Sequence, residues 1–313
     1  MSDVLVLGSG VIGLTTAIGL VEAGHQVLVR TRELPEATTS AVAGALCGPL
    51  IPSGDERLDR WARTSDKRFR ELAVSASDVG VRIARGRLVS NFGDEFPPWA
   101  ADIPGFVPCA GEDKPDGYTL AFWSELPIVD MRIYLRYLTD RYAAAGGLLE
   151  VNPVASLSEA AASASIVVNC TGVAARDLAD DPLVRPVKGM HVVVANPGID
   201  DFFFEGGTEG QWTSYVSHRD HVLLGGISLE GDSSREPDPA VAEQIRARCI
   251  RIEPRLGEAD VLGIEVGSRP ARDPIRLEEA TIGSSRVIHH YGHGGVGVML
   301  SWGGAADVVD MCR

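Results

Sequence analysis

The chain opens on an apolar run at Val4–Leu7, a glycine turn, a stretch with apolar side chains at helical spacing that Gly24 can end, and a second apolar run at Gln26–Val29. This pattern predicts strand, helix, strand. Two strands apolar on both faces and joined by one helix predict a parallel sheet covered on both sides. Leu58, Trp61, Phe69, Leu72 and Val79 recur at helical spacing on a charged background and predict one long surface helix or a helix pair. From 80 to 127 the character changes, and short β-like pieces (VRIARGRLVSN, GYTLAFWSELP) alternate with Pro/Gly/Asp loops, as expected of a second module inserted into the first. DMRIYLRYLTDRYAAAGG, from Asp130, predicts an amphipathic helix with an acidic start and a Gly-Gly stop. The apolar string ASIVVNCTG restores the parallel-sheet character. Alternating strands return between 187 and 230, a helix is expected at Pro239–Cys249, 261–279 crosses back, and 286–312 again reads strand, glycine loop, helix.

With 313 residues, 45% of them apolar and 23% charged, about two globular domains are expected. A net charge of −14 without any Lys/Arg run excludes a nucleic-acid partner. No apolar run approaches the ~18–20 residues that span a bilayer, so no membrane partner is expected. Met1–Gly24 has no basic start, carries Asp3 early and spaces its glycines, so it is read as a folded element, not a leader. Five cysteines, odd in number and without a CxxC pair, argue against a disulfide framework or zinc finger and point to the cytoplasm. Cys170, inside IVVNCTG, is read as a buried small residue.

Gly8-Ser9-Gly10-Val11-Ile12-Gly13 sits between a strand and a helix, the context in which GxGxxG signals a dinucleotide. The first glycine permits the turn, the second lets backbone approach a pyrophosphate, and the third lets helix pack on strand. The second strand ends in Arg30, Thr31 and Arg32 with Glu33 one step later, so a 2′-phosphate (NADP) and a flavin site stay open at this point. Further strand-then-glycine turns at 166–172 and 287–303 favour a large ring gripped from several segments. In HHYGHGGVG (289–297), His289 and His290 should point to opposite faces, and no carboxylate or Cys completes a ligand set, so no metal is expected. Gly292, Gly294, Gly295 and Gly297 can instead bring bare N–H groups against a ring edge. His218 and His221 are read as solvated loop histidines. No GxSxG elbow supports acyl transfer.

These pieces resemble the FAD-dependent D-amino-acid oxidase family over essentially all of the chain, through GSGVIGL (8–14), TTSAVAGA (38–45), VVNCTGV (167–173), LLGGI (223–227), GSRPARDPIRLE (267–278) and HHYGHGGVGVMLSWG (289–303). The resemblance implies an α/β fold: a Rossmann-like FAD-binding domain (1–76, 131–185, 271–313) with an interleaved β-rich substrate domain (77–130, 186–270). It implies FAD held by Gly8, Gly10, Val11, Ile12 and Gly13 at the pyrophosphate, then by Thr31, Arg32, Thr38, Thr39 and Ser40. Ala43, Gly44, Ala45 and Leu46 fall on the loop passing the ring. Val154, Thr171 and Gly172, and Gly294, Gly295, Val296, Gly297, Val298 and Met299, complete the set, with Arg269 bordering both ligands. For the substrate it implies Arg269 on the carboxylate, Tyr215 in the pocket and the Gly295 carbonyl on the amine. Where the family has a second tyrosine, Trp212 or Thr213 stands here.

The activity implied is oxidation of D-amino acids by hydride transfer from Cα to flavin N5, giving 2-oxo acid and ammonia after hydrolysis and hydrogen peroxide from dioxygen. No acid or base is required. A planar guanidinium fork suits a carboxylate; Arg272 and Arg276 are better candidates for ordinary salt bridges. Alternatives on the same scaffold are a D-aspartate oxidase, for which Arg219 is a speculative second basic group, or a glycine/sarcosine-type oxidase. A non-catalytic NADP-binding protein using Arg30 and Arg32 is the reading from another class. The end at Met311-Cys312-Arg313, without the peroxisomal tripeptide of eukaryotic relatives, points to a bacterial cytoplasm. Oligomeric state and side-chain preference stay open, with a homodimer as the candidate assembly.

Overall fold

The computed structural model describes residues 4–75, 78–206 and 210–313, so the domain boundary expected at 76–77 and Asp3 lie outside the described residues. Its strands are β1 (Val4–Leu7), β2 (Val27–Thr31), β3 (Val81–Ser90), β4 (Val107–Pro108), β5 (Leu120–Val129), β6 (Leu148–Val151), β7 (Ile166–Asn169), β8 (Arg185–Ala195), β9 (Phe202–Glu205), β10 (Gln211–Ser217), β11 (His221–Ile227), β12 (Leu229–Glu230), β13 (Val261–Ile282) and β14 (Ser285–His293). The helices are α1 (Val11–Glu22), α2 (Glu56–Ser75), α3 (Met131–Ala144), α4 (Leu157–Ala161), α5 (Ala175–Leu178), α6 (Pro239–Ile252) and α7 (Gly297–Met311).

One sheet runs through the described residues in the order β4-β5-β3-β9-β10-β11-β8-β13-β14-β7-β1-β2-β6, with β12 beside β8. From β14 to β6 every pairing is parallel. Each β1 side chain is buried because both faces are covered: Val4 and Val6 join the core with α1, α3 and α7, while Leu5 and Leu7 pack on Leu157, Val167 and Val287. The expected parallel sheet is therefore present at the N-terminal strand. The 22-residue β13 links this region to the antiparallel one: Val261–Ala271 pairs with β8, Arg276–Ile282 pairs with β14, and Ala271 faces both Arg185 and His293.

The 58–79 periodicity yields one helix ending at Ser75, with Trp61, Ser65, Phe69 and Leu72 buried on one face. Gly303 lets α7 come against it, since a Cβ there would lie 2.2 Å from the Trp61 Cα. Asp130 caps α3 by accepting from the N–H groups of Arg132 and Ile133. The pieces expected between 80 and 127 are longer than the sequence suggested, because β3 and β5 pair over ten residues each, from Val81–Val129 to Ser90–Leu120. No helix among the described residues is long and apolar enough to cross a membrane.

Candidate active site

The glycine turn is built by steric necessity. Gly8 has φ +101°, and a Cβ on it would lie 2.6 Å from the Cys170 carbonyl oxygen; a Cβ on Gly13 would lie 1.9 Å from the Gly8 oxygen. Only bare backbone lets β1 turn beside β7 and α1 settle on the turn. Gly10 is the N-cap of α1 and contributes no side-chain cap; no acidic residue occupies the first turn. The positive end of α1 is thereby left to an outside anion, except that the Val11 N–H donates to Ser40 Oγ at 3.0 Å. A second helix begins the same way: α7 starts at Gly297 with no side-chain cap and no acid in its first turn, and a Cβ on Gly297 would lie 4.0 Å from the Ile12 side chain. Both ends of the chain thus bring uncapped helix starts together, a cradle that fits a flavin dinucleotide.

The other sequence-expected residues distribute around this cradle. Thr38 and Thr39 anchor their loop, their hydroxyls donating to the Pro35 carbonyl at 2.7 Å and the Ser268 carbonyl at 3.1 Å. Thr31 is buried and spends its hydroxyl on Ser9 and the Glu33 carbonyl; Arg32 is exposed. Gly44, Ala45 and Leu46 are half-buried; the Ala45 carbonyl accepts from the Val129 N–H, and Leu46 bridges to Ile128. Thr171 donates to Asn169, Gly172 approaches Pro270, and Val154 packs in the cluster around Leu157. Gly294 and Gly297 are half-buried, Gly295 and Val296 exposed, Val298 buried and Met299 half-buried.

The substrate side follows from strand alternation. Arg269 on β13, Gly189 and His191 on β8, Gly225 on β11 and Ser214 on β10 share one face of the sheet. A Cβ at Gly189 would lie 2.3 Å from the Arg269 guanidinium, so the glycine is the space the fork occupies. Arg269 Nη1 donates to the Ile227 carbonyl at 3.0 Å, its guanidinium lies 5.7 Å from the centre of the Trp212 ring, and a Cβ on Gly295 would come within 3.7 Å of its Cδ. Arg269 is half-buried, has no acidic partner among the described residues, and is lowered from the usual arginine range by burial. A desolvated cation without a counter-charge is a site for an anion. His191 stands beside it. Its Nδ1 lies 3.1 Å from the Val42 carbonyl, and burial, reinforced by the Arg269 charge, drops its pKa to about 4, so the ring is neutral.

Several expectations are corrected. Tyr215 is fully buried on the opposite face from Arg269, in register with Leu224 and beneath α6, with its hydroxyl 3.2 Å from an Asp201 carboxyl oxygen and its ring stacked on Phe203. Alternation forbids it from the Arg269 side; Trp212, Ser214 and His191 line that side. His218 and His221 are not solvated: both are buried, their rings 4.7 Å apart, and His221 pairs with Asp220. Arg30 is tied to Glu159 and to the Asn152 carbonyl. His289 and His290 do face opposite ways, toward Asn169 and toward Thr16. Arg272 and Arg276 form the expected salt bridges, both on the buried Asp181 at 2.8 and 3.0 Å. Burial pushes that carboxyl up, but hydrogen bonds from Tyr291 and Arg272 outweigh it and hold it below the usual range.

The model of a family described as FAD dependent oxidoreductase (DAO) matches residues 3–311. The chain is 43% identical over 309 residues to a D-amino-acid oxidase of Streptomyces coelicolor, covering 97% of this chain and 95% of that one. It is equally 43% identical, over 305 residues, to a D-amino-acid oxidase of Rubrobacter xylanophilus, covering 97% and 93%. Among solved structures, glycine oxidase from Geobacillus kaustophilus superimposes with a TM-score of 0.84 at 20% identity, covering 99% of this chain and 95% of that one.

Proposed function

Because the chain belongs to the FAD-dependent oxidoreductase family, we propose that it is a D-amino-acid oxidase, turning a D-amino acid, water and dioxygen into a 2-oxo acid, ammonia and hydrogen peroxide. The observation that carries the reading is Arg269: a half-buried guanidinium with no acidic partner among the described residues, lying beside the Gly294–Gly297 loop.

In this reading Gly8, Gly10, Val11, Ile12 and Gly13 hold the pyrophosphate through the start of α1. Thr31, Arg32, Thr38, Thr39, Ser40, Val154, Thr171 and Gly172 border the rest of the nucleotide. Gly44–Leu46 and Gly294–Met299 flank the ring. FAD, when bound, supplies the two-electron acceptor for the Cα hydride and passes the electrons on to dioxygen. The chain's own share is placement. Arg269 has Nη1 fixed on the Ile227 carbonyl, which leaves Nε and Nη2 to grip the substrate carboxylate as a fork. The Gly295 carbonyl accepts an N–H of the substrate amine. Two anchors on one α-carbon fix which face of Cα meets the ring, the source of D selectivity. Trp212 covers the guanidinium and thins the water around it, strengthening the ion pair. His191, neutral and low in basicity, is not asked to move a proton. The division into an FAD-binding and a substrate-binding domain belongs to this reading, with the Ala271 hand-over between β8 and β14 in its support. So does a cytoplasmic location, which five unpaired cysteines fit; the homodimer is open to light scattering.

The test is a spectrum and a panel. Purified protein should show flavin absorbance and release peroxide with D- but not L-amino acids, and Arg269→Ala should lose affinity for carboxylate substrates by about 3 kcal/mol or more. Protein that stays colourless after reconstitution with FAD, or an Arg269→Ala variant with unchanged D-alanine kinetics, overturns the reading.

A further inference from the structure

His191 lies on the strand face that carries Arg269, and the nucleotide-side loop closes over it. Its Nε2 would come within 3.2 Å of a Cβ on Gly44, and its Cδ2 within 2.9 Å of a Cβ on Gly225, so two glycines make room for the ring. The contact from Nδ1 to the Val42 carbonyl fixes the tautomer, because a carbonyl oxygen can only accept: Nδ1 carries the proton and donates it. Nε2 is then a bare lone pair, lying in the space that the missing side chains of Gly44 and Gly225 leave open. An acceptor is thus held beside the guanidinium that receives the substrate. The Arg269 charge and the loss of water both oppose a second proton on the ring, which keeps it an acceptor at neutral pH.

We propose that His191 selects the substrate side chain, its Nε2 accepting a hydrogen bond from neutral donors such as amide or hydroxyl groups and turning away carboxylates. The proposal rests on the amino-acid-oxidase reading and names the side-chain class that reading leaves open. A carboxylate has only acceptors to present, and two acceptors in contact leave both unpaired; the isosteric amide presents N–H.

D-asparagine and D-aspartate share a shape and differ in this one respect. The wild-type holoenzyme should favour D-asparagine in kcat/KM by well over tenfold, and His191→Leu should shrink that ratio by roughly tenfold, the weight of one hydrogen bond plus one unpaired acceptor. A general structural injury would lower both substrates together and leave the ratio in place. Binding to the wild-type holoenzyme gives an arm independent of turnover and of any variant's folding: succinamate should bind more tightly than succinate. The selector is refuted if D-amino acids are oxidised but His191→Leu keeps the wild-type ratio, or if succinate binds as well as succinamate. Failure of every D-amino acid to reduce the flavin would instead bring down the underlying reading, and the selector with it.

Discussion

Gly189 places a sharp condition on the carboxylate site. The Arg269 guanidinium lies flat against β8 only because residue 189 has no side chain: a Cβ there would sit 2.3 Å from Nη2, 2.4 Å from Cζ and 2.6 Å from Nη1. An ordinary contact is about 3.5 Å, so in Gly189→Ala the fork must withdraw by roughly 1 Å. The bond from Nη1 to the Ile227 carbonyl, 3.0 Å long, fixes its position and cannot stretch that far. The charge survives the substitution; its aim does not. Losing one well-directed, charge-assisted hydrogen bond costs about 1.5–3 kcal/mol, a factor of roughly ten to a hundred and fifty. KM for D-alanine and the dissociation constant of a simple non-oxidisable carboxylate should rise together by that factor. Flavin content should stay at the wild-type level, because β8 lies apart from the glycine turn. The assay is steady-state peroxide release beside a carboxylate titration of the flavin spectrum. If Gly189→Ala stays within twofold of wild type in both, the substrate acid does not land on Arg269 as it is held here.

Gly13→Ala would push a methyl group to 1.9 Å from the Gly8 carbonyl oxygen, a backbone atom that cannot step aside, so the variant should purify with little flavin, read as the ratio of visible to protein absorbance. Tyr215→Phe removes a hydroxyl that meets Asp201 and Arg87 on the far face; KM for D-amino acids should move less than twofold while stability drops by about 1 kcal/mol in urea unfolding, and a tenfold rise in KM would return Tyr215 to the site. Acid should weaken the fold early: burial drops His218 and His289 to about 4, His293 to about 3, and His290 well below its ordinary value, so below about pH 6.5 the unfolded chain takes up protons that the folded one refuses. Each such group removes up to about 1.4 kcal/mol per pH unit, hence urea midpoints should fall clearly between pH 7.5 and 5.5, and equal midpoints would contradict the burial.

What the sequence disclosed about the cofactor side, it disclosed through local sterics. A positive φ at Gly8 and the absent Cβ at Gly13 are demands of the turn itself, readable wherever GxGxxG follows an apolar run. The uncapped start of α7 was legible for the same reason, in the glycines of 292–297. The substrate side was not local. β11 is buried at all seven positions, and β10 from Thr213 to Ser217, so no polar alternation marks which face is core and which is cavity. A register shift between Gln211 and Ser214 disturbs counting as well. Motif matching therefore put Tyr215 in the pocket, when its pairing with Leu224 sends it under α6. His191 had no signal at all, a single histidine at the head of the apolar run Val192–Val194. His218 and His221 looked like loop residues because nothing nearby in sequence buries them.

The three arginines of GSRPARDPIR show both sides of this limit. Sequence reading assigned Arg269 to a ligand and the other two to salt bridges, from motif position alone. The physical difference between them is Asp181, about ninety residues away, which lies between Arg272 and Arg276 and is held there further by Tyr291. Arg272 and Arg276 thus neutralise each other's need for a partner through one carboxylate. Arg269, two positions before Ala271 hands β13 from β8 to β14, is beyond its reach and, among the described residues, donates to carbonyl groups and lies over an aromatic face. A fold that pairs two neighbouring guanidinium groups and leaves the third half-buried without an acid among the described residues has reserved that third charge for something that arrives from outside.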